Sequence, residues 1–232
     1  MRSPWLSFLG VAAFAACTTH PDLGQARVSR ALQLSADGTS LWVVNTDSDS
    51  ISQIDVASRT LVREILLGTA LPTVDPATGR YDPAIRPRAI ALADSLHKAY
   101  VAAEATSAIY VVDTDVGAVV GTIPVGAAPV AVVLSPDDTT LYAVSYEGAS
   151  VARIDTSTDT VVATLPVRDH PRGASLRADG SLLYVTQFLL DPGVTVMRTV
   201  TFIPRVAFDW AQFTPLPDQP PDPGGNIDIP NG

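Results

Sequence analysis

Cysteine occurs once in the 232 residues, at Cys17, lysine once, at Lys98, and histidine three times, at His20, His97 and His170. One cysteine cannot form an internal disulfide, and it cannot supply Cys-x-x-Cys-His, so covalent haem attachment is excluded. The histidines are dispersed and have no second ligand at short spacing, so no metal site is implied, and no cofactor either. Cationic residues number 15 against 24 acidic ones and form no run. With a net charge of −9 and no clustered cations to meet phosphates, nucleic acid is excluded as a partner. The chain also lacks Gly-x-Gly-x-x-Gly and a nucleophile elbow, and no residue is assigned a catalytic role. No hydrophobic run is long enough to cross a bilayer after processing.

What is present is a repeat. Leu134-Ser-Pro-Asp-Asp-Thr-Thr-Leu-Tyr142 returns 42 residues later as Leu176-Arg-Ala-Asp-Gly-Ser-Leu-Leu-Tyr184. Leu34 to Trp42 and Leu92 to Tyr100 share the register, each with an aromatic residue eight positions after the leucine. The spacings are 58, 42 and 42, and the excess of 16 in the first falls in the insert 69–84, where Pro72, Pro76, Gly79 and Pro83 mark a surface loop. A unit this short cannot enclose a core alone, so the copies must stack.

Within each copy, β-branched runs alternate with turn residues. In the third these predict strands at 130–134, 141–145, 150–154 and 160–167, joined by Pro-Asp-Asp, Glu-Gly and Ser-Thr-Asp turns. Four antiparallel strands repeated radially describe a β-propeller blade, in which neighbouring sheets bury one another. The short, punctuated segments disfavour a helical solenoid. The expected fold is therefore all-β, a propeller of four-stranded antiparallel blades over residues 29–208. It is incomplete at about four blades, because the fourth copy degrades after Met197 and a last strand from 199–208 matches only loosely. Such an open ring, or a piece of a longer reading frame, exposes sheet edges, and self-association through these open blade edges is expected.

The segments Ala128 to Tyr142, Leu41 to Asn45 and Val151 to Val167 carry a resemblance. Trp42-Val-Val-Asn45 and Tyr184-Val-Thr-Gln187 are each one or two substitutions from Tyr-Val-Thr-Asn, and the chain over about Ser29 to Thr186 resembles the YVTN family of β-propeller repeats. The resemblance implies a secreted or surface-exposed propeller, usually of about seven blades, without a shared catalytic motif. Some similar proteins continue into a cytochrome c or peroxidase-like domain, so a propeller accessory of such a redox system is one alternative. A propeller hydrolase similar to lactonases is another, for which His170, Arg88 and Arg172 would be the only support.

At the N-terminus, a short basic start precedes the apolar stretch Pro4 to Ala16, which reads as a signal peptide over 1–16. Phe14-Ala15-Ala16-Cys17 resembles a bacterial lipobox, with phenylalanine where leucine is usual. Lipidation at Cys17 would leave 17–28 as a tether and put the membrane in contact with the lipid anchor only. The expected location is the cell envelope, as an outer-membrane lipoprotein facing the periplasm or the cell surface. The Pro-rich stretch 209–232 reads as a disordered tail.

Candidate ligand-binding residues come from the strand entries. Four residues before the register leucines stand Arg30, Arg88, Val130 and Arg172, and His170 lies two residues before Arg172. Three arginines at one mouth of a central channel could clamp a small anionic ligand or a protein partner by bidentate hydrogen bonds. Equally, each could pair with an acidic neighbour or cap a loop carbonyl, as repeated residues usually do. Asp37, Asp94, Asp137 and Asp179, and likewise Asp55, Asp113 and Asp155, read as turn residues. Asn45-Thr-Asp47-Ser-Asp49 spaces its oxygens like a calcium loop but lacks the glycine and bidentate glutamate of an EF-hand.

Overall fold

The computed structural model describes residues 27–69, 71–187 and 194–198. The β-branched runs become strands where the repeat places them. The innermost-strand segment β1 is Arg27–Val28. The first blade is β2 (Leu32–Leu34), β3 (Ser40–Asn45), β4 (Ser50–Asp55) and β5 (Thr60–Leu66). The insert forms its own hairpin, β6 (Thr73–Val74) with β7 (Tyr81–Asp82). The second blade is β8 (Pro87–Ala93), β9 (Lys98–Ala103), β10 (Ala108–Asp113) and β11 (Ala118–Pro124). The third is β12 (Pro129–Leu134), β13 (Thr140–Ser145), β14 (Ser150–Asp155) and β15 (Thr160–Pro166). Its four expected strands all appear, displaced by no more than a residue at either end. The fourth contains β16 (Pro171–Leu176), β17 (Leu182–Gln187) and β18 (Val194–Arg198). Each blade is a four-stranded antiparallel sheet, and the chain is an all-β protein of the propeller class.

The fourth blade takes its fourth described strand from the other end of the chain. β1 pairs antiparallel with β16, Arg27 opposite Leu176 and Val28 opposite Ser175, which gives the order β1-β16-β17-β18. Residues 199–208, the expected source of a last strand, lie outside the described residues, as do 1–16, Cys17, His20 and 209–232. From β1 the chain crosses the innermost strands of the other blades. Ser29 donates its N–H to Ala174 O (2.9 Å), and its Oγ accepts from the Val132 N–H (3.2 Å). The Arg30 carbonyl accepts from the Ile90 N–H (2.9 Å), and that of Ala31 from the Val44 N–H (2.8 Å). Five residues thus tie all four blades together. Arg27 adds a charge pair, its Nη1 lying 3.1 Å from Asp138 Oδ1 in the third blade, while Ser95 of the second blade donates to Asp138 Oδ2 at 2.9 Å.

The core lies between blades, and strand alternation decides which side chain goes where. In β8, Ile90 and Leu92 turn toward the first blade and pack with Trp42, Val44 and Ile51, whereas Ala89, Ala91 and Ala93 turn toward the third. In β12, Val132 and Leu134 meet the second blade, while Ala131 and Val133 meet the fourth. Among the described residues the middle blades are therefore packed on both faces, the end blades on one.

Turn aspartates hold the hairpins. Asp37 accepts from Ser35 Oγ (2.6 Å) and Thr39, Asp137 from Ser135 Oγ (2.5 Å) and Thr139, and Asp179 from Ser181 Oγ (2.5 Å). Asp55 and Asp155 do the same with Ser58 and Ser157, and Asp113 accepts from the backbone N–H groups of Val116 and Asp115. These donors favour the anion, so the carboxyls of Asp37, Asp55, Asp113, Asp155 and Asp179 sit below the usual carboxylate range. At Asp137 partial burial pushes upward, but the Ser135 and Thr139 donors outweigh it. A lowered folded-state pKa means that the unfolded chain binds protons first. The stabilisation is complete above the ordinary value near 3.9 and fades as pH falls through the lowered values. Urea midpoints should therefore hold steady down to about pH 5 and drop below about pH 4; a midpoint unchanged across that lower range would contradict this.

Candidate ligand-binding corner

Each full innermost strand opens at a proline, Pro87, Pro129 or Pro171, and the residue before it adopts a left-handed backbone: Arg86 at φ 52°, Ala128 at φ 53° and His170 at φ 56°. The repeat thus fixes where His170 stands. One residue past the proline come the exposed Arg88 and Arg172, and the equivalent Val130 separates them. In the second blade, Arg88 Nε donates to Glu104 Oε2 at 2.5 Å, an ion pair within the blade. In the fourth, the Arg172 guanidinium lies 5.3 Å from the centroid of the Tyr146 ring, and the His170 ring lies 4.8 Å from it at an interplanar angle of 57°. Tyr146 belongs to the third blade, just beyond β13, where its N–H donates to the Ala128 carbonyl (2.8 Å).

Of the four residues singled out in the sequence, His170 and Arg172 therefore meet on one aromatic ring. Arg88 occupies the equivalent strand entry two blades away and is engaged by Glu104. Arg30 lies in the crossing segment, in a bridge with Ile90, with its side chain exposed. Tyr146 completes the corner and has a sequence signal, since it stands 42 residues after Glu104, an aromatic residue where the earlier copy has the arginine's carboxylate partner. A guanidinium and an imidazole against one ring form a cationic, partly apolar shelf. Such a shelf suits an anionic group attached to a flat or apolar body.

The calcium-like segment is used differently. Asn45 Nδ2 donates to Ser50 Oγ (3.0 Å) and Ser52 Oγ (2.8 Å). The buried Asp49 carboxylate accepts backbone N–H groups of Ala84 (2.7 Å), Ile85 (3.1 Å) and Arg86 (2.8 Å). Its oxygens face the protein backbone, and among the described residues no three His, Cys, Asp or Glu side chains are grouped to hold a metal ion. A second tie escapes a reading of local sequence. Asp159 of the third blade accepts from Lys98 Nζ (2.7 Å) and Tyr100 OH (2.8 Å) of the second. Asp94, read as a turn residue, also accepts the Ala36 N–H of the first blade at 2.8 Å.

No family model matches the chain, and no curated protein matches it. Among solved structures it is similar to Kuenenia stuttgartiensis hydrazine synthase, with 21 % identity and a TM-score of 0.61 over 72 % of this chain and 45 % of that one. It is also similar to a functionally unknown protein from Desulfotomaculum acetoxidans DSM 771, with 14 % identity and a TM-score of 0.57 over 78 % of this chain and 56 % of that one. The chain spans about half the length of these two structures. At these identities the likeness speaks for the fold alone.

Proposed function

We propose that this chain is a non-catalytic binding module of the cell envelope, a propeller of the YVTN type exported on residues 1–16 and held at a membrane by lipid on Cys17. Its ligand is an anionic group, on a small molecule or a protein, received at the corner of His170, Arg172 and Tyr146. The observation that carries this reading is the placement of the Arg172 guanidinium 5.3 Å from the Tyr146 ring, beside the His170 imidazole, at an exposed strand entry. Stacking on the ring restrains the guanidinium, so less rotamer entropy is lost when an anion is bound.

Titration calorimetry with benzoate and inorganic phosphate tests the corner. A charge-assisted hydrogen bond contributes about 1.5–3 kcal/mol, so Arg172→Ala should weaken binding by about tenfold or more. His170→Asn keeps a residue that tolerates the left-handed backbone and should weaken binding less. Arg88→Ala, which removes an arginine already paired with Glu104, should leave the affinity unchanged. Equal affinities across all three variants would sink the proposal. The anchor is tested separately, since Cys17→Ser should shift the chain from the detergent phase to the aqueous phase on phase separation; partition unchanged by the substitution would remove it.

A further inference from the structure

Every blade has two unlike faces. One carries the register leucine with other aliphatic residues: Leu92, Ala99 and Val112 in the second blade, Leu134, Leu141 and Ile154 in the third, Leu176 and Leu183 in the fourth. All are at most 2 % exposed, because each packs on the preceding blade. The other face carries the repeat aromatic, Trp42, Tyr100 or Tyr142, which packs on the following blade beside small residues such as Ala89 and Ala131. Three clusters join first to second, second to third and third to fourth blade, and among the described residues none joins fourth to first.

Two faces are therefore left over, and they are the two halves of the repeat's own interface. On the first blade, Leu34 pairs across the sheet with Leu41, and Leu41 with Ile54, in the same row as the buried leucine faces elsewhere. Here Leu32 and Leu34 are each 51 % exposed. On the fourth blade, Leu183 and Val185 pack inward, so alternation turns Tyr184 to the opposite face, beside Ser175 across the ladder and near Gly173. That is the repeat aromatic with small neighbours. It matches the surface on which a leucine face packs three times in this structure.

We propose that the leucine face of the first blade is covered by the Tyr184 face of a second copy, and that the reciprocal contact closes the ring. Each contact is head-to-tail, so the chains either close or polymerise. Two copies supply eight blades, within the range of about 4–8 over which propellers close, whereas three would exceed it. The contact is made by sheet faces, not by open edges, and it does not depend on the ligand corner.

Sedimentation equilibrium of the purified chain tests this, with circular dichroism as the check on folding. The wild type is expected at twice the mass of one purified chain. Leu34→Asp and Tyr184→Asp should each sediment as single chains. Mixed in equal amounts they should recover dimers, because the first variant keeps its tyrosine face and the second its leucine face. Should either aspartate variant fail to fold, Leu34→Ser and Tyr184→Ser give the same comparison with a milder change. A wild type at the mass of one chain would overturn the proposal, as it would mean that the face is open or covered by residues 199–232 or another protein. Polymers that grow with concentration would overturn the closed ring. A dimer abolished by Leu34→Asp but untouched by Tyr184→Asp would show that two leucine faces meet each other.

Discussion

Tyr100→Ala is expected to lower the unfolding free energy by about 3–5 kcal/mol, the range for emptying a fully buried aromatic site. The ring has no exposure and lies between the second and third blades with Leu134, Leu141 and Ile154. Its hydroxyl donates to Asp159 Oδ1, and Lys98 Nζ donates to the other carboxylate oxygen and to the Thr156 carbonyl (3.1 Å). Burial first, then the hydrogen bond to Asp159 and that residue's charge, push the phenol far above the ordinary tyrosine range, which favours the neutral donor. Tyr100→Phe separates the two contributions. It keeps the packing and removes one hydrogen bond, so it should cost only about 1 kcal/mol, while Lys98 still satisfies Asp159. With a urea dependence of about 1–3 kcal/mol per molar, the alanine variant should unfold at a midpoint lower by about 2 M. Equal losses for Phe and Ala would mean that the hydroxyl, not the ring, holds the blades together.

What the sequence could and could not disclose follows from range. The leucine-to-aromatic spacing of eight is local, as are the β-branched runs between turn residues, so strand positions are legible in the chain itself. The insert was legible for the same reason, as an interruption of a period. β1 was not, because a two-residue strand carries no alternation and belongs to no copy; it pairs with β16 nearly 150 residues away. Asp159 shows the same limit. At φ 52° it reads as a turn residue, yet its carboxylate serves the neighbouring blade through partners 59 and 61 residues distant in sequence.

The arginines show a different limit. Arg88 and Arg172 are equivalent by register, and the repeat alone treats them alike. Arg88 is engaged within its own blade by Glu104, whereas Arg172 lies against Tyr146 of the preceding blade. Register locates such positions, but the chemistry depends on a partner that, for Arg172, comes from the adjoining blade.

Asp49→Ala should release the insert from the body of the protein. The carboxylate is 2 % exposed, and its oxygens accept three successive N–H groups at 2.7–3.2 Å where the insert ends and the chain turns into β8. The same turn places Ile85 in the cluster between the first and second blades, and Thr46 Oγ1 secures it further by donating to the Pro87 carbonyl (2.8 Å). Alanine removes every acceptor at once and also disfavours the left-handed backbone, φ 50°, at this position. Leaving a buried N–H without a partner costs about 1–3 kcal/mol, and partial hydration of the loosened turn offsets some of it, so the expected loss is about 3 kcal/mol. Asp49→Asn tolerates the same backbone and retains one acceptor oxygen, so it should lose about half as much. Trypsin reads the local consequence at the exposed Arg80 in the hairpin. If Asp49 clamps the insert, cleavage after Arg80 should quicken by about tenfold or more in the alanine variant and less in the asparagine one. Cleavage at the wild-type rate in a variant that is globally less stable would instead assign Asp49 to the blade interface and leave the insert held by its own hairpin.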